Sequence, residues 1–223
     1  STTSPPNAEL HATLDALNST EPHREDKPHA QCKFPARLIW LKSRLGHEFN
    51  PPKVDCPGYQ AFLKRLGAKS ISLVFSSYYL NSPSSTFGHT LLRVSKGSEA
   101  NELLDYGINY AADVTTNNAA LYAILGTIGG FTGSFTNLPY YYKIRQYNDY
   151  EARDLWSYEI DFTPEEITFL LAHLWELGST HFDYFYFTEN CSYHILAAID
   201  AVRPETNFIE KQSYWVIPGD TVT

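Results

Sequence analysis

Residues 188–196 read TENCSYHIL: an asparagine, a cysteine and, three residues on, a histidine, set between the aromatic run FDYFYF (182–187) and an apolar stretch. A helix is expected to begin at Asn190 or Cys191 and to run to about Val202, with Pro204 ending it. Along that helix Cys191, Ile195, Ala198, Ile199 and Val202 share one face, so the sulfur is directed to the core side. In a first turn, unpaired amides and the positive end of the macrodipole favour thiolate over thiol. Two readings follow. Cys191 is a nucleophile placed for acyl transfer, or it fills the core, where free cysteine is common.

A thiol nucleophile requires a base. His89, in SSTFGHTLL (84–92), stands at the start of an expected strand after a turn of small residues that allows close approach. Asp105 and Asn109, four apart on the next expected strand, face the same side as each other, and either is a candidate to fix the imidazole tautomer. His194 competes as base, because side chains three apart on a helix meet. His173, His181, Asp183 and Cys191 match no short zinc spacing, and neither a glycine-rich phosphate loop nor a serine nucleophile elbow occurs. No metal and no cofactor is therefore expected.

Around these residues the chain reads as an α+β fold, a small antiparallel sheet packed against helices. SISLVFSSYYL (70–80), FGHTLLRVS (87–95) and NELLDYGINY (101–110) are strand candidates, and DLWSYEIDF (154–162) and SYWVIP (213–218) add two more. PARLIWLKSRLG (35–46) and PGYQAFLKRLG (57–67) read as short helices with proline near the start and a glycine stop. The clearest helix is 164–177, with a capping box from Thr163 and Glu166, Pro164 at the first position and a stripe of Ile167, Leu170, Leu171 and Leu174. Residues 1–31 form a polar arm with one helical pattern, and 32–223 form the main domain. From Val114 to Tyr142 there is no charged residue, and four glycines interrupt the run. This stretch is expected either as an apolar wall, lid or interfacial lip, or as a buried hairpin or loop.

With 223 residues, 43% of them hydrophobic, the chain can bury a sizeable core. A net charge of -8 without clustered Lys and Arg argues against a nucleic-acid partner. No apolar run is long enough to span a bilayer, and the absence of Met even at position 1 suits a chain cut from a longer precursor. Of the three cysteines, Cys32 and Cys56 flank a loop whose closure in an oxidising compartment stabilises by about 3 kcal/mol, which leaves Cys191 free.

CKFPARLIWL (32–41), SLVFSSYYLNSPSSTFGHTLLRV (72–94), GINYAA (107–112), YNDYEARDLWSYEIDFTPEEITFLLAHLWEL (147–177), FDYFYFTENCSYHIL (182–196) and VIPGDTV (216–222) together resemble the Lnb N-terminal periplasmic domain family. The resemblance implies a circularly permuted papain-like fold in which a strand histidine precedes a helix-borne cysteine, here His89 and Cys191. It also implies a transacylase that moves an acyl chain of a lipoprotein through a thioester. Lipoprotein or phospholipid acyl chains would be the partners, with contact to a membrane surface. The setting would be periplasmic or otherwise extracytoplasmic, in a longer exported or membrane-anchored protein. Tyr79, Ser85, Asn190, Gly130 and Phe131 are the candidate substrate-binding residues. The same cysteine–histidine pair also suits a peptidase or amidase on peptidoglycan, and the fold suits a binding module without activity.

Overall fold

The computed structural model describes residues 5–78, 87–97, 104–116, 118–144, 153–212 and 215–219. Its centre is a six-stranded sheet of β1 (Ser70–Ser76), β2 (His89–Ser95), β3 (Tyr106–Asp113), β4 (Phe131–Pro139), β5 (Leu155–Ile160) and β6 (His181–Tyr184), ordered β5-β1-β2-β3-β4-β6. Every neighbouring pair is antiparallel. Strand alternation sends successive side chains to opposite faces. Leu73, Leu92, Val94, Ile108, Tyr110 and Phe135 accordingly join the main core, while Val74 and Leu91 join Tyr140 in a small cluster on the other face.

The main core is closed by helices. The helices are α1 (Pro6–Leu17), α2 (Ala30–Lys33), α3 (Pro35–Leu45), α4 (Pro57–Leu66), α5 (Ala119–Ile128), α6 (Tyr140–Ile144), α7 (Pro164–Leu177), α8 (Cys191–Val202) and α9 (Phe208–Lys211). In α7 the expected stripe of Ile167, Leu170, Leu171 and Leu174 is buried, and the Thr163–Glu166 capping box is formed in both directions. Ile195, Ala198 and Ile199 of α8 are buried beside it.

The segment from α1 to α3 (Pro6–Leu45) packs on the outside of α7. Leu17, Leu41 and Phe49 make their own cluster. The Glu176 carboxylate accepts the amides of Ala36 (2.7 Å) and Arg37 (3.0 Å), capping the start of α3. The Trp175 indole donates to the Cys32 carbonyl at 2.8 Å. Cys32 and Cys56 form the expected disulfide.

Three expectations differ from the structure. The uncharged 114–142 stretch is not the buried hairpin or loop of one expectation: it contains α5, whose aliphatic face is exposed, and β4, an interior strand of the sheet. The run after Gly178, left unassigned from the sequence, supplies edge strand β6, whose period-2 signal is masked by aromatic residues at every second position and beyond. Residues 215–219 form no strand, while 213 and 214, like the 79–80 and 101–103 ends of two expected strands, lie outside the described residues.

Candidate active site

Asn190 sets the geometry of the α8 start. Its side-chain oxygen accepts the amides of Ser192 (3.0 Å) and Tyr193 (3.4 Å), which satisfies donors that a helix N-terminus leaves open. Its amide nitrogen donates to the carbonyls of Tyr186 (3.0 Å) and Val216 (2.6 Å). Both ends of the side chain are thus committed, and the residue that follows is held in one place. That residue is Cys191, 4% exposed and the free cysteine of the chain.

The sulfur lies against β2. The Ser192 hydroxyl donates to Thr90 Oγ1 at 2.9 Å, locking the first turn of α8 to the residue after His89. Burial pushes the Cys191 thiol up, and hydrogen bonds from the backbone of Thr90, from Ser192 and from Cys191's own backbone pull it down by less. The expectation of a resting thiolate is corrected here. A helix N-terminus favours the anion, but full desolvation outweighs it.

Among the described residues, the pairing of β2 with β3 covers Leu92–Val94 against Tyr106–Ile108, whereas β1 follows β2 all the way to His89. The sheet therefore opens between β2 and β3 at the end where His89 stands. The gap is bridged by side chains: His89 Nε2 lies 2.5 Å from Asn109 Oδ1. An amide oxygen only accepts, so Nε2 carries the proton and the basic lone pair is on Nδ1. Gly88 makes the approach to His89. It has φ +91°, and a Cβ there would fall 2.5 Å from the Phe75 ring and 2.7 Å from the Ser76 carbonyl.

Of the two candidates for orienting the imidazole, Asn109 reaches it. Asp105 does not: its carboxylate accepts from Arg93 Nε (2.8 Å) and the Lys96 amide (3.1 Å). The two share a face, as expected, but four residues of strand separate them by roughly 13 Å, which places Asp105 beside the far end of β2. His194 is also removed from the role of base. Its ring lies 4.0 Å from that of Tyr110 and 4.9 Å from that of Phe182, centroid to centroid, and burial lowers its pKa to about 4. Its Nε2 and the Tyr110 hydroxyl are both buried without a hydrogen-bond partner.

A cavity of about 10 Å³ touches Cys191 and is lined by Phe87, Gly88, Tyr184, Tyr186, Asn190 and Pro218. It has room for about one water. Among the expected substrate-binding residues Asn190 lines it. Gly130 and Phe131 do not: Gly130 donates its amide to the Leu125 carbonyl (2.7 Å), and Phe131 is buried against Tyr122. Tyr79 and Ser85 lie outside the described residues. Thr90, Ser192 and Tyr186 were not singled out from the sequence, because nothing local marks a residue that meets the sulfur through its backbone or from another strand.

The fold and site define an α+β protein with a buried cysteine at a helix start and a histidine–asparagine pair on adjacent strands. The family model of the Lnb N-terminal periplasmic domain matches residues 58–223, and the chain belongs to that family, a periplasmic one in which a disulfide is at home. A domain of unknown function matches residues 1–44, so CKFPARLIWL falls in that segment. No curated protein and no solved structure matches the chain. No helix among the described residues is long and apolar enough to cross a membrane.

Proposed function

We propose that this domain is a cysteine acyltransferase that takes a fatty acyl chain from a lipoprotein or phospholipid ester as a Cys191 thioester and passes it to an amine. The reading is supported by the free Cys191 at the start of α8, whose first turn is tied to Thr90, and by the neighbouring His89, held by Asn109 where the β2–β3 ladder opens. The His89 side chain stands on the opposite face of β2 from Thr90, so the proton passes around the open end of the strand.

Because burial keeps the thiol protonated, the proton leaves as the sulfur attacks. His89 Nδ1 takes it while the sulfur bonds to the ester carbonyl carbon. The Cys191 amide, at the start of α8, receives the resulting oxyanion, while the Ser192 and Tyr193 amides stay with the Asn190 cap. Collapse breaks the ester C–O bond, and His89 returns the proton to the departing alkoxide. An amine then attacks the thioester, His89 removes its proton, and the thiol is regenerated when the C–S bond breaks. Asn109 holds the tautomer throughout.

The cavity at the sulfur is walled by Phe87, Tyr184, Tyr186 and Pro218, a lining suited to hydrocarbon and poor in partners for the amides of a stem peptide. At about 10 Å³ it admits a chain only when these side chains part. The test is intact-mass spectrometry of the protein and its Cys191→Ser variant after incubation with phospholipid micelles and a diacylated lipopeptide bearing a free amine. A Cys191-dependent acyl adduct, or a chain moved to the amine, is the expected result. Neither adduct nor transfer, with cleavage of muropeptides instead, would replace the reading by a peptidase. Neither reaction would leave a binding module.

A further inference from the structure

The outer face of α5 has no cover within the fold. Leu121, Ile124 and Ile128, at helical spacing i, i+3 and i+7, are 45%, 58% and 66% exposed. The inner face of the same helix is fixed to the site. Its Tyr122 ring lies 6.2 Å from that of Tyr186, the Gly126 carbonyl accepts the Tyr186 amide at 2.8 Å, and Tyr186 lines the Cys191 cavity. From Tyr186 an aromatic path continues through Phe87 (5.8 Å) and Phe187 to Trp215 (4.6 Å from Phe187), and both Phe87 and Trp215 are exposed. Helix α5 thus presents aliphatic side chains outward along one edge of the molecule and meets the wall of the Cys191 cavity with its inner face, and exposed aromatic side chains lie beyond Tyr186.

We infer that this edge is a bilayer contact: α5 lies in the interface with Leu121, Ile124 and Ile128 in the acyl region and Trp215 at headgroup level, so that a lipid chain passes to Cys191 from the membrane. Three features select lipid as the occupant. No charged residue occurs from Val114 to Tyr142 in a chain of net charge -8, so the contact carries none of the polar and ionic rim of a protein interface. Five partly exposed side chains fall short of the roughly 800 Å² per partner that a stable dimer buries. A ten-residue helix with one exposed aliphatic stripe is about half the length of a spanning one, so it can enter the interface without crossing the bilayer. The inference rests on the acyl-transfer reading for its purpose, and its test is independent of that reading.

The test is co-sedimentation with phosphatidylcholine vesicles. The wild-type chain and Cys191→Ser bind equally, and 1 M salt leaves binding intact, because the contact is apolar. Adding anionic phosphatidylglycerol weakens binding, because the chain is acidic. Ile124→Asp with Ile128→Asp lowers partitioning at least tenfold, and the milder Ile124→Ser with Ile128→Ser lowers it less, each with unchanged circular dichroism. Bromine-labelled lipid quenches a fluorescence component that Trp215→Phe removes. Equal partitioning of wild type and the α5 variants, or self-association through α5 in place of vesicle binding, would overturn the inference. Vesicle binding without any Cys191 adduct would retain the inference and remove the acyl-transfer reading.

Discussion

Two of the hollows among the described residues are of opposite character. One, about 780 Å³, lies where α1 and α3 cross α7, lined by Leu10, Phe34, Trp40, Phe169, His173 and Phe182 among others. The other, about 10 Å³, lies at Cys191. Size alone would put the site in the first. The first is lined by no cysteine: in it Arg37 pairs with Glu9 (3.3 Å) and Glu176 (3.7 Å), and burial lowers the pKa of His173. It also straddles the segments matched by the two families, so it is the seam where one unit rests on the other. The second is small because the thiol, the Asn190 cap and the rings of Phe87, Tyr184 and Tyr186 close on one another there. A seam leaves volume where two surfaces meet imperfectly. The cavity at Cys191 is instead filled by the side chains packed around the thiol.

The comparison breaks most sharply through activity. His89→Ala is expected to lower thioester formation about 10³-fold, whereas Trp40→Ala in the large hollow leaves it unchanged; adduct formation followed by mass spectrometry reads both. If Trp40→Ala removed the adduct and His89→Ala did not, the assignment of the two hollows would be reversed.

Stability sharpens it next. Asp105→Ala removes the buried hydrogen-bonded pair with Arg93 and the acceptor of the Lys96 amide, and urea denaturation should show a loss of about 3 kcal/mol. Activity per folded molecule stays intact, while Asn109→Ala loses activity at little cost in stability. Removing the disulfide with Cys32→Ser and Cys56→Ser releases the loop that ties the N-terminal segment to the rest, at about 3 kcal/mol in thermal or urea unfolding, with adduct formation preserved in the folded protein.

The smallest effect is acid sensitivity. His194 has a folded pKa of about 4 against about 6.5 unfolded, so the unfolded chain takes up the proton first. Stability is full above pH 6.5 and falls as the pH drops toward 4, by about 2 kcal/mol at pH 5. His194→Phe, which keeps the aromatic contact with Tyr110, should flatten that slope in urea titrations at pH 7 and pH 5. An unchanged slope would place the acid sensitivity elsewhere.

Local rules carried the reading of the helices. Thr163, Pro164 and Glu166 announce α7 because the capping box is complete within four residues, and Asn190 with Pro204 brackets α8. The 114–142 stretch could not be read this way. β4 pairs with β3 and β6, and the aromatic nest around Tyr110 includes Gly133, where a Cβ would fall 2.2 Å from the Tyr110 hydroxyl. A glycine that looks like a strand breaker in sequence is there required by a ring from the neighbouring strand.

The same division runs through the site. From the residues alone came a cysteine at a helix start, a histidine at a strand start and two polar candidates on one strand face, because each depends on spacing within one element. That Asn109 reaches His89, that Asp105 pairs with Arg93, that His194 packs among Tyr110 and Phe182, and that burial raises the Cys191 thiol came from the tertiary structure. Each depends on how far the β2–β3 ladder runs and on what surrounds a side chain, and both are set by residues remote in the chain.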